Sequence, residues 1–201
     1  MEAELNRITL QPVWVRVTHW INAVAVVLMM LSGWQIYDAS PTFPGLEFPA
    51  SITLGAWLGG ALQWHFAIMW ALVANFSVYA AMLFVSGRFQ NRLLPITIKL
   101  LAADLSTLLR GKFSHQDLSR YNSIQKLAYL IAIVDGLVLI LSGLALWKSV
   151  QFALLRTLMG GYDRSREVHF FAMGVMFIFI VVHGVMVMLV PRTLLLMIRG
   201  R

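Results

Sequence analysis

Four stretches of the chain are long and almost free of charge. No Asp, Glu, Lys or Arg occurs between Arg16 and Asp38 or between Glu47 and Arg88, and a third stretch is interrupted only by Asp135. A helix needs about 20 predominantly apolar residues to cross a bilayer. The pattern therefore predicts four transmembrane spans, at about 17–36, 62–86, 127–147 and 168–190.

The composition places the chain in the membrane class. Of its 201 residues, 59% are hydrophobic and 12% are charged, whereas a soluble domain is about 45–50% apolar and about 25% charged. A water-soluble globule of this length has no interior large enough for so many apolar side chains. This excludes an ordinary soluble enzyme, a disordered chain and a nucleic-acid-binding module. We expect one all-α domain over 1–201, a transmembrane four-helix bundle in the bacterial inner (cytoplasmic) membrane.

Positive charge is distributed unevenly between the two sides of the predicted bundle. Twelve of the 16 Lys and Arg residues fall on the side that holds both termini, and four fall on the other side. Because positive residues collect in cytoplasmic loops, both termini are predicted to be cytoplasmic. Within the long inner loop, Pro95–Lys112 has the periodicity of an amphipathic helix on the inner membrane surface. Glu2 and Glu4 argue against a cleaved signal peptide.

Four of the five histidines lie in or at the ends of the spans, at His19, His65, His169 and His183, whereas His115 falls in a polar loop and is expected to be solvated. An ionisable residue in a span marks a functional site by default; a hydrogen-bonded interhelical or interfacial histidine is the alternative. His169 and His183 are 14 residues apart, which places them on nearly the same helix face, about 21 Å apart. By predicted depth, His19 pairs with His183 near the inner side and His65 with His169 near the outer side.

The side chains present limit what such a pair can bind. The chain has no Cys, which excludes thiolate metal sites and covalent c-type haem. Zinc prefers four ligands, and no acid is placed to join either pair. A haem supplies four nitrogens itself and needs two axial ligands, which two histidines of a helix bundle provide. The four histidines are therefore predicted to bind haem iron in two bis-His sites that carry electrons across the membrane.

Arginines and small residues are secondary candidates for the same sites. Arg16, three residues before His19, is suited to pair with a haem propionate or to act as a positive-inside anchor. Arg164 and Arg166 are the corresponding residues on the outer side. Small residues in the spans would let either a flat haem macrocycle or a neighbouring helix come close to the backbone. Helix packing is the favoured interpretation for most of them. These residues are Ser32, Gly33, Gly136, Ser142, Gly143, Gly174 and Gly184.

Short motifs around the histidines resemble those of a known family. They are R-V-T-H-W at Arg16–Trp20, W-H at Trp64–His65, R-Y-N-S-I-Q-K at Arg120–Lys126, S-G-L at Ser142–Leu144, and V-H at Val168–His169 with the step to His183. Over nearly its whole length the chain resembles the four-helix di-haem b-type cytochromes that serve as membrane subunits of nickel–iron hydrogenases, formate dehydrogenases and thiosulfate reductases. The resemblance implies two haem b cofactors on the four histidines and a role in a respiratory chain.

The resemblance also implies a quinone site beside the inner haem and a redox partner outside the membrane. The residues that match the quinone site are Asn122 and His183, with Gln125 and Lys126 nearby; a helix start with a cationic interface anchor is the alternative. The expected partner is a periplasmic redox subunit, and a molybdenum-containing oxidoreductase is favoured. We predict its docking surface on Gln151–Arg166. The chain would be an electron-transfer subunit without catalytic residues of its own, and homo-oligomerisation is left open.

Two other functions remain open at this level. A stand-alone oxidoreductase would pass electrons from a small donor such as superoxide to quinone, and the four outer cations suit an anionic donor. A metal permease would use the histidines without haem, although no inverted repeat or broken helix supports it. Asp135 near the middle of the third span is either a proton-relay residue or a buried acid that is protonated or bonded internally.

Overall fold

The computed structural model describes residues 11–110 and 121–200. Within them every regular element is helical, which confirms the all-α class. The α-helices are α1 (Val13–Asp38), α2 (Leu58–Val85), α3 (Ile98–Leu109), α4 (Ser123–Trp147), α5 (Ala153–Leu158), α6 (Tyr162–Leu189) and α7 (Arg192–Arg199). A 3₁₀ turn occupies Ala50–Ile52, and a π-helical turn occupies Phe89–Leu93. His115 and Arg120 lie outside the described residues.

Four helices are long and apolar enough to span a membrane. They are α1, α2, α4 and α6, with 26, 28, 25 and 28 residues. At about 1.5 Å per residue each exceeds the hydrocarbon core of about 30 Å. This confirms the four-span architecture, and each predicted span overlaps one of these helices along nearly its whole length. The cytoplasmic location of the termini stays a prediction.

The described residues fall into two compact units, which we describe separately. The N-terminal unit is Trp14–Ala81, and the C-terminal unit joins the described residues of Met1–Val13 to those of Met82–Arg201. That the whole chain forms one domain remains a prediction.

In the N-terminal unit, α1 and α2 form a hairpin whose connection is anchored to the end of α1. The Asp38 carboxylate accepts a hydrogen bond from the Phe48 backbone N–H at 3.0 Å. The Phe48 ring stacks on Trp34, with centroids 4.9 Å apart. The Thr53 hydroxyl donates to Gln35 Oε1 at 2.7 Å. These contacts hold the start of α2 close to the end of α1.

Nearer the other end of the hairpin, Asn75 on α2 joins the two helices. Its buried amide nitrogen donates to the backbone carbonyl of Thr18 at 2.8 Å and to Asn22 Oδ1 at 2.7 Å. Polar side chains of this kind bind transmembrane helices together, because an apolar surrounding offers no competing water. The two contacts lie on either side of His19, one residue before it at Thr18 and three residues after it at Asn22, and therefore hold the backbone that carries it.

We expect Asn75→Leu to lower the free energy of unfolding by about 1–2 kcal/mol, since two interhelical hydrogen bonds are lost in a buried site. The change is measured by denaturant titration of the purified protein in detergent. Ser77→Ala on the same helix is the control, because the Ser77 hydroxyl donates only within α2, to the Val73 carbonyl. An Asn75→Leu variant as stable as that control would contradict the expectation.

In the C-terminal unit, α4 packs along α6 and also contacts α3 and α5. The start of α4 is tied to α3, since the Ser123 N–H donates to Asp104 Oδ2 at 2.6 Å. The predicted amphipathic helix exists as α3, shorter than Pro95–Lys112. Its apolar residues Ile98, Leu100 and Leu105 are exposed, which is typical of a helix lying on a membrane surface.

Candidate functional site

In the N-terminal unit, His65 of α2 packs against a Ser-Gly pair on α1. The Ser32 hydroxyl oxygen lies 3.0 Å from His65 Nδ1. A Cβ placed on Gly33 would lie 3.6 Å from His65 Cε1, so the imidazole rests directly on the α1 backbone. Ser32 is completely buried. This contact fixes the position and the plane of the ring.

The C-terminal unit contains the same arrangement around His169 of α6. The Ser142 hydroxyl oxygen on α4 lies 2.8 Å from His169 Nδ1. A Cβ on Gly143 would lie 3.4 Å from His169 Cε1, and Ser142 is completely buried. Two histidines in different units are therefore held in the same way by the preceding long, membrane-spanning helix, α1 for His65 and α4 for His169.

The hydrogen-bond partners of Ser32 bear on which ring nitrogen of His65 carries the proton. The Ser32 hydroxyl is within reach of the carbonyl oxygens of Leu28 at 2.8 Å and Met29 at 3.1 Å. A carbonyl oxygen only accepts, so the single hydroxyl proton goes to it. With that donation the Ser32 oxygen is an acceptor for His65 Nδ1–H, which is compatible with the tautomer whose Nε2 keeps its lone pair.

Ser142 has the same set of partners. Its hydroxyl donates to the Val138 carbonyl at 2.6 Å, with the Leu139 carbonyl at 3.3 Å. The contacts of His169 are compatible with the same tautomer, in which Nδ1 carries the proton and Nε2 keeps its lone pair. Metal-binding histidines use the same scheme, in which one nitrogen donates to a neighbour and the other binds the metal. Both residues fit axial ligands of haem iron.

The other two histidines are placed differently: His19 lies on α1, the partner helix of α2 in its hairpin, whereas His183 lies on α6 itself, the helix that carries His169. His19 is in the second turn of α1, with its ring edge-on to Trp20 at 5.3 Å between centroids. His183 is in the last turns of α6, stacked on Phe179 at 5.7 Å. His169 and His183 share one unbroken helix, so their predicted separation of about 21 Å applies. Arg16 precedes His19 by one turn on α1, and its Nε is buried.

The predicted quinone residues form the start of α4. Asn122 Oδ1 accepts from the Gln125 N–H at 2.7 Å, and Gln125 Oε1 accepts from the Asn122 N–H at 3.1 Å. This reciprocal pair is a capping box. The Lys126 ammonium donates to the Pro95 carbonyl at 3.2 Å. The helix-start interpretation accounts for these contacts, and a role in quinone binding stays a prediction.

Asp135 is buried on α4 beside an open apolar hollow of about 340 Å³. The hollow is lined by α4 residues and by Val175 of α6. Among the described residues, none forms a hydrogen bond with Asp135 Oδ2. Both interpretations of Asp135, a proton-relay residue and a buried acid that is protonated or bonded internally, stay predictions.

The predicted docking segment contains α5 and the turn that follows it. Leu154 and Leu158 of α5 are each 75% exposed. Arg164 pairs with Glu167 at 2.6 Å, so one of the four outer cations is already partly neutralised. Within the described residues, no group of three His, Asp or Glu side chains is arranged to hold a single metal ion.

Sequence reasoning treated Ser32 and Ser142 only as small residues. Their role as partners of His65 and His169 was missed, although a signal exists in the sequence. Leu-Ser-Gly occurs at Leu31–Gly33 and again at Leu141–Gly143. Each copy lies on the long, membrane-spanning helix that comes before the spanning helix of the histidine it contacts.

Comparison with known proteins identifies the family of the chain. The sequence model of the family described as prokaryotic cytochrome b561 matches residues 10–200, and the chain belongs to that family. A protein of Azospira oryzae, named as a putative protein-methionine-sulfoxide reductase subunit YedZ1, is 55% identical over 191 residues, which cover 95% of this chain and 96% of that protein. No solved structure matches the chain.

Family membership confirms the b-type cytochrome resemblance. The chain is a multi-pass b-type cytochrome of the bacterial inner membrane, with haem b as the cofactor of its family. The chain functions in transmembrane electron transfer.

Proposed function

We propose that the chain carries electrons across the membrane through two haems b, with His19 and His183 as ligands of one and His65 and His169 as ligands of the other. The observation that supports the proposal is the pair of Ser–His contacts, at 3.0 and 2.8 Å, which place a serine oxygen at Nδ1 of His65 and of His169; we assign the opposite nitrogen, Nε2, to the iron. The pairing follows from the depth of each residue along its helix.

The residues around these ligands suit electron transfer rather than catalysis on a substrate. When bound, the haem supplies iron that gains and loses one electron. Two histidines per iron fill both axial positions, so neither position is left for dioxygen or a substrate. The apolar side chains of the four spanning helices exclude water and lipid headgroups, and Arg16 is positioned in sequence to pair with an inner propionate.

For the physiological reaction, we propose that electrons pass from quinol at the cytoplasmic side to a periplasmic methionine-sulfoxide reductase subunit. The name of the Azospira oryzae relative supports this class of partner. Reducing one sulfoxide consumes two electrons and two protons and releases water. Oxidation of one quinol supplies the two electrons and releases its own two protons at the quinone site, and the sulfoxide takes its two protons from periplasmic water. Asn122, Gln125 and Lys126, with His183, are the proposed quinone residues. We expect the partner to contain molybdenum.

The proposed docking surface is the apolar face of α5 within Gln151–Arg166. Exposed Leu154 and Leu158 lie one helical turn apart, so they form one patch at the predicted outer side. A surface of this kind is suited to a protein interface because burying apolar area drives association.

The test is purification of the tagged protein from its own host, followed by spectroscopy. We expect a soluble periplasmic redox protein to co-purify. A soluble quinol analogue should reduce the haems, and an oxidised, methionine-sulfoxide-containing test protein should reoxidise them only while that partner is present. The double variant Leu154→Glu, Leu158→Glu should lose the partner and slow reoxidation at least tenfold, while Leu105→Glu on α3 should retain both. Rapid reduction of the haems by superoxide without any partner would favour the stand-alone oxidoreductase.

A further inference from the structure

The two units repeat one arrangement of residues. Leu-Ser-Gly on the first helix, at Leu31–Gly33 and Leu141–Gly143, is followed on a later helix by His-Phe-x-x-Met, at His65–Met69 and His169–Met173. In both units the serine is completely buried and its oxygen contacts Nδ1 of the histidine. In both units the glycine leaves room for one imidazole edge. The proposed inner ligands, His19 and His183, are not part of this repeat.

We propose that Ser32 and Ser142 are positioning residues that set the tautomer, the ring orientation and the basicity of His65 and His169. The inference rests on the proposed function, in which these two histidines bind the iron of one haem. Neither serine touches the iron or a substrate. Each acts through the nitrogen on the far side of the imidazole ring.

The direction of the effect follows from the hydrogen-bond chain. Each serine donates its own proton to a backbone carbonyl, at 2.8 Å for Ser32 and 2.6 Å for Ser142, which makes its oxygen a stronger acceptor. A histidine that donates from Nδ1 to a good acceptor becomes a more basic ligand at Nε2. A more basic ligand stabilises ferric over ferrous iron, so the two serines together lower the reduction potential of this haem relative to the inner one.

A difference in reduction potential between the two haems would affect the direction in which electrons move. If electrons enter at the inner haem, a lowered reduction potential at the outer haem makes electron transfer from the inner to the outer haem unfavourable. Net transfer then occurs only when a partner oxidises the outer haem. The serine contacts therefore bear on how readily the outer haem delivers an electron, and they do so without any contact to the partner.

The experiment is a redox titration of the intact, haem-loaded protein with Ser32→Ala, Ser142→Ala and the double substitution. We expect each single variant to retain two haems per chain. The haem bound by His65 and His169 should have a raised midpoint potential and a shifted low-spin ferric EPR signal, and the other haem should be unchanged. Loss of one such partner contact typically weakens binding of the ligated group about tenfold or more. Haem release under competition by apomyoglobin should therefore accelerate about tenfold for the same haem.

Three further variants make the result decisive. Ser142→Thr keeps the accepting oxygen and should restore the potential. Ser142→Cys keeps a similar volume with a weak acceptor, and it should reproduce the alanine effect even if the alanine variant fails to accumulate. Ser77→Ala, whose hydroxyl donates within α2 to Val73, should leave both potentials unchanged.

Two failures are distinguishable. If the alanine and cysteine variants have unchanged potentials, EPR signals and haem release, the positioning inference is overturned while the haem assignment stands. If His169→Ala itself retains two haems of unchanged spectrum, the proposed function fails, and this inference fails with it.

Discussion

Replacing His169 by Ala is expected to remove one of two haems, so that haem content falls from about two to about one per chain. The iron of a bis-His haem is held by two axial bonds, and the apolar pocket alone does not retain it against dilution in detergent. His65→Ala should remove the same haem, and His19→Ala or His183→Ala should remove the other. The pyridine haemochromogen spectrum of each purified variant measures the content.

The pairing is tested by combining these substitutions. The double variant His65→Ala, His169→Ala should retain one haem, because both changes affect one site. The double variant His65→Ala, His183→Ala should retain none. His115→Ala is the control and should keep two haems. Two haems remaining after any single substitution of the four predicted ligands would contradict the ligand assignment.

Gly143→Leu is expected to remove the haem that His169 binds. A Cβ at this position already lies 3.4 Å from His169 Cε1, so the remaining atoms of a leucine side chain overlap the imidazole and force the ring out of place. Overpacking of this kind destabilises the folded state by about 1–3 kcal/mol when neighbouring groups can move aside. Here the neighbouring group that must move is the proposed ligand, His169. Haem content should fall to about one per chain, as in His169→Ala.

Two variants control for the glycine itself. Gly143→Ala adds only the Cβ at ordinary contact distance and should keep two haems. Gly174→Leu introduces the same side chain on α6, where a Cβ meets no atom within 4 Å, and it should also keep two. Equal haem content in Gly143→Leu and Gly174→Leu would show that close approach of α4 to His169 has no bearing on haem binding.

The spans and the ligand candidates were predictable because they depend on local properties of the sequence. A run of about 20 apolar residues has few alternatives to a transmembrane helix, and α1, α2, α4 and α6 confirm that interpretation. The histidines stood out because ionisable residues are rare in such runs. Neither conclusion requires knowledge of which helix faces meet.

The residues at the start of α4 show where that reasoning stops. Asn122, Gln125 and Lys126 were named for a possible quinone site, with a helix start as the alternative. Their hydrogen bonds in the structure form a capping box and a contact to the Pro95 carbonyl. A motif of this kind serves the helix whether or not it also binds a ligand, so sequence alone does not separate the two roles.

The sequence by itself determined that this protein crosses a membrane four times and places histidines at the ends of its spans, because hydropathy and charge act residue by residue. Only the tertiary structure decided that Ser32 meets Nδ1 of His65 and that Ser142 meets Nδ1 of His169. Those contacts depend on the rotation of one helix against the next. Side chains tens of residues apart are brought to within 3.0 and 2.8 Å of each other by packing that no local pattern encodes.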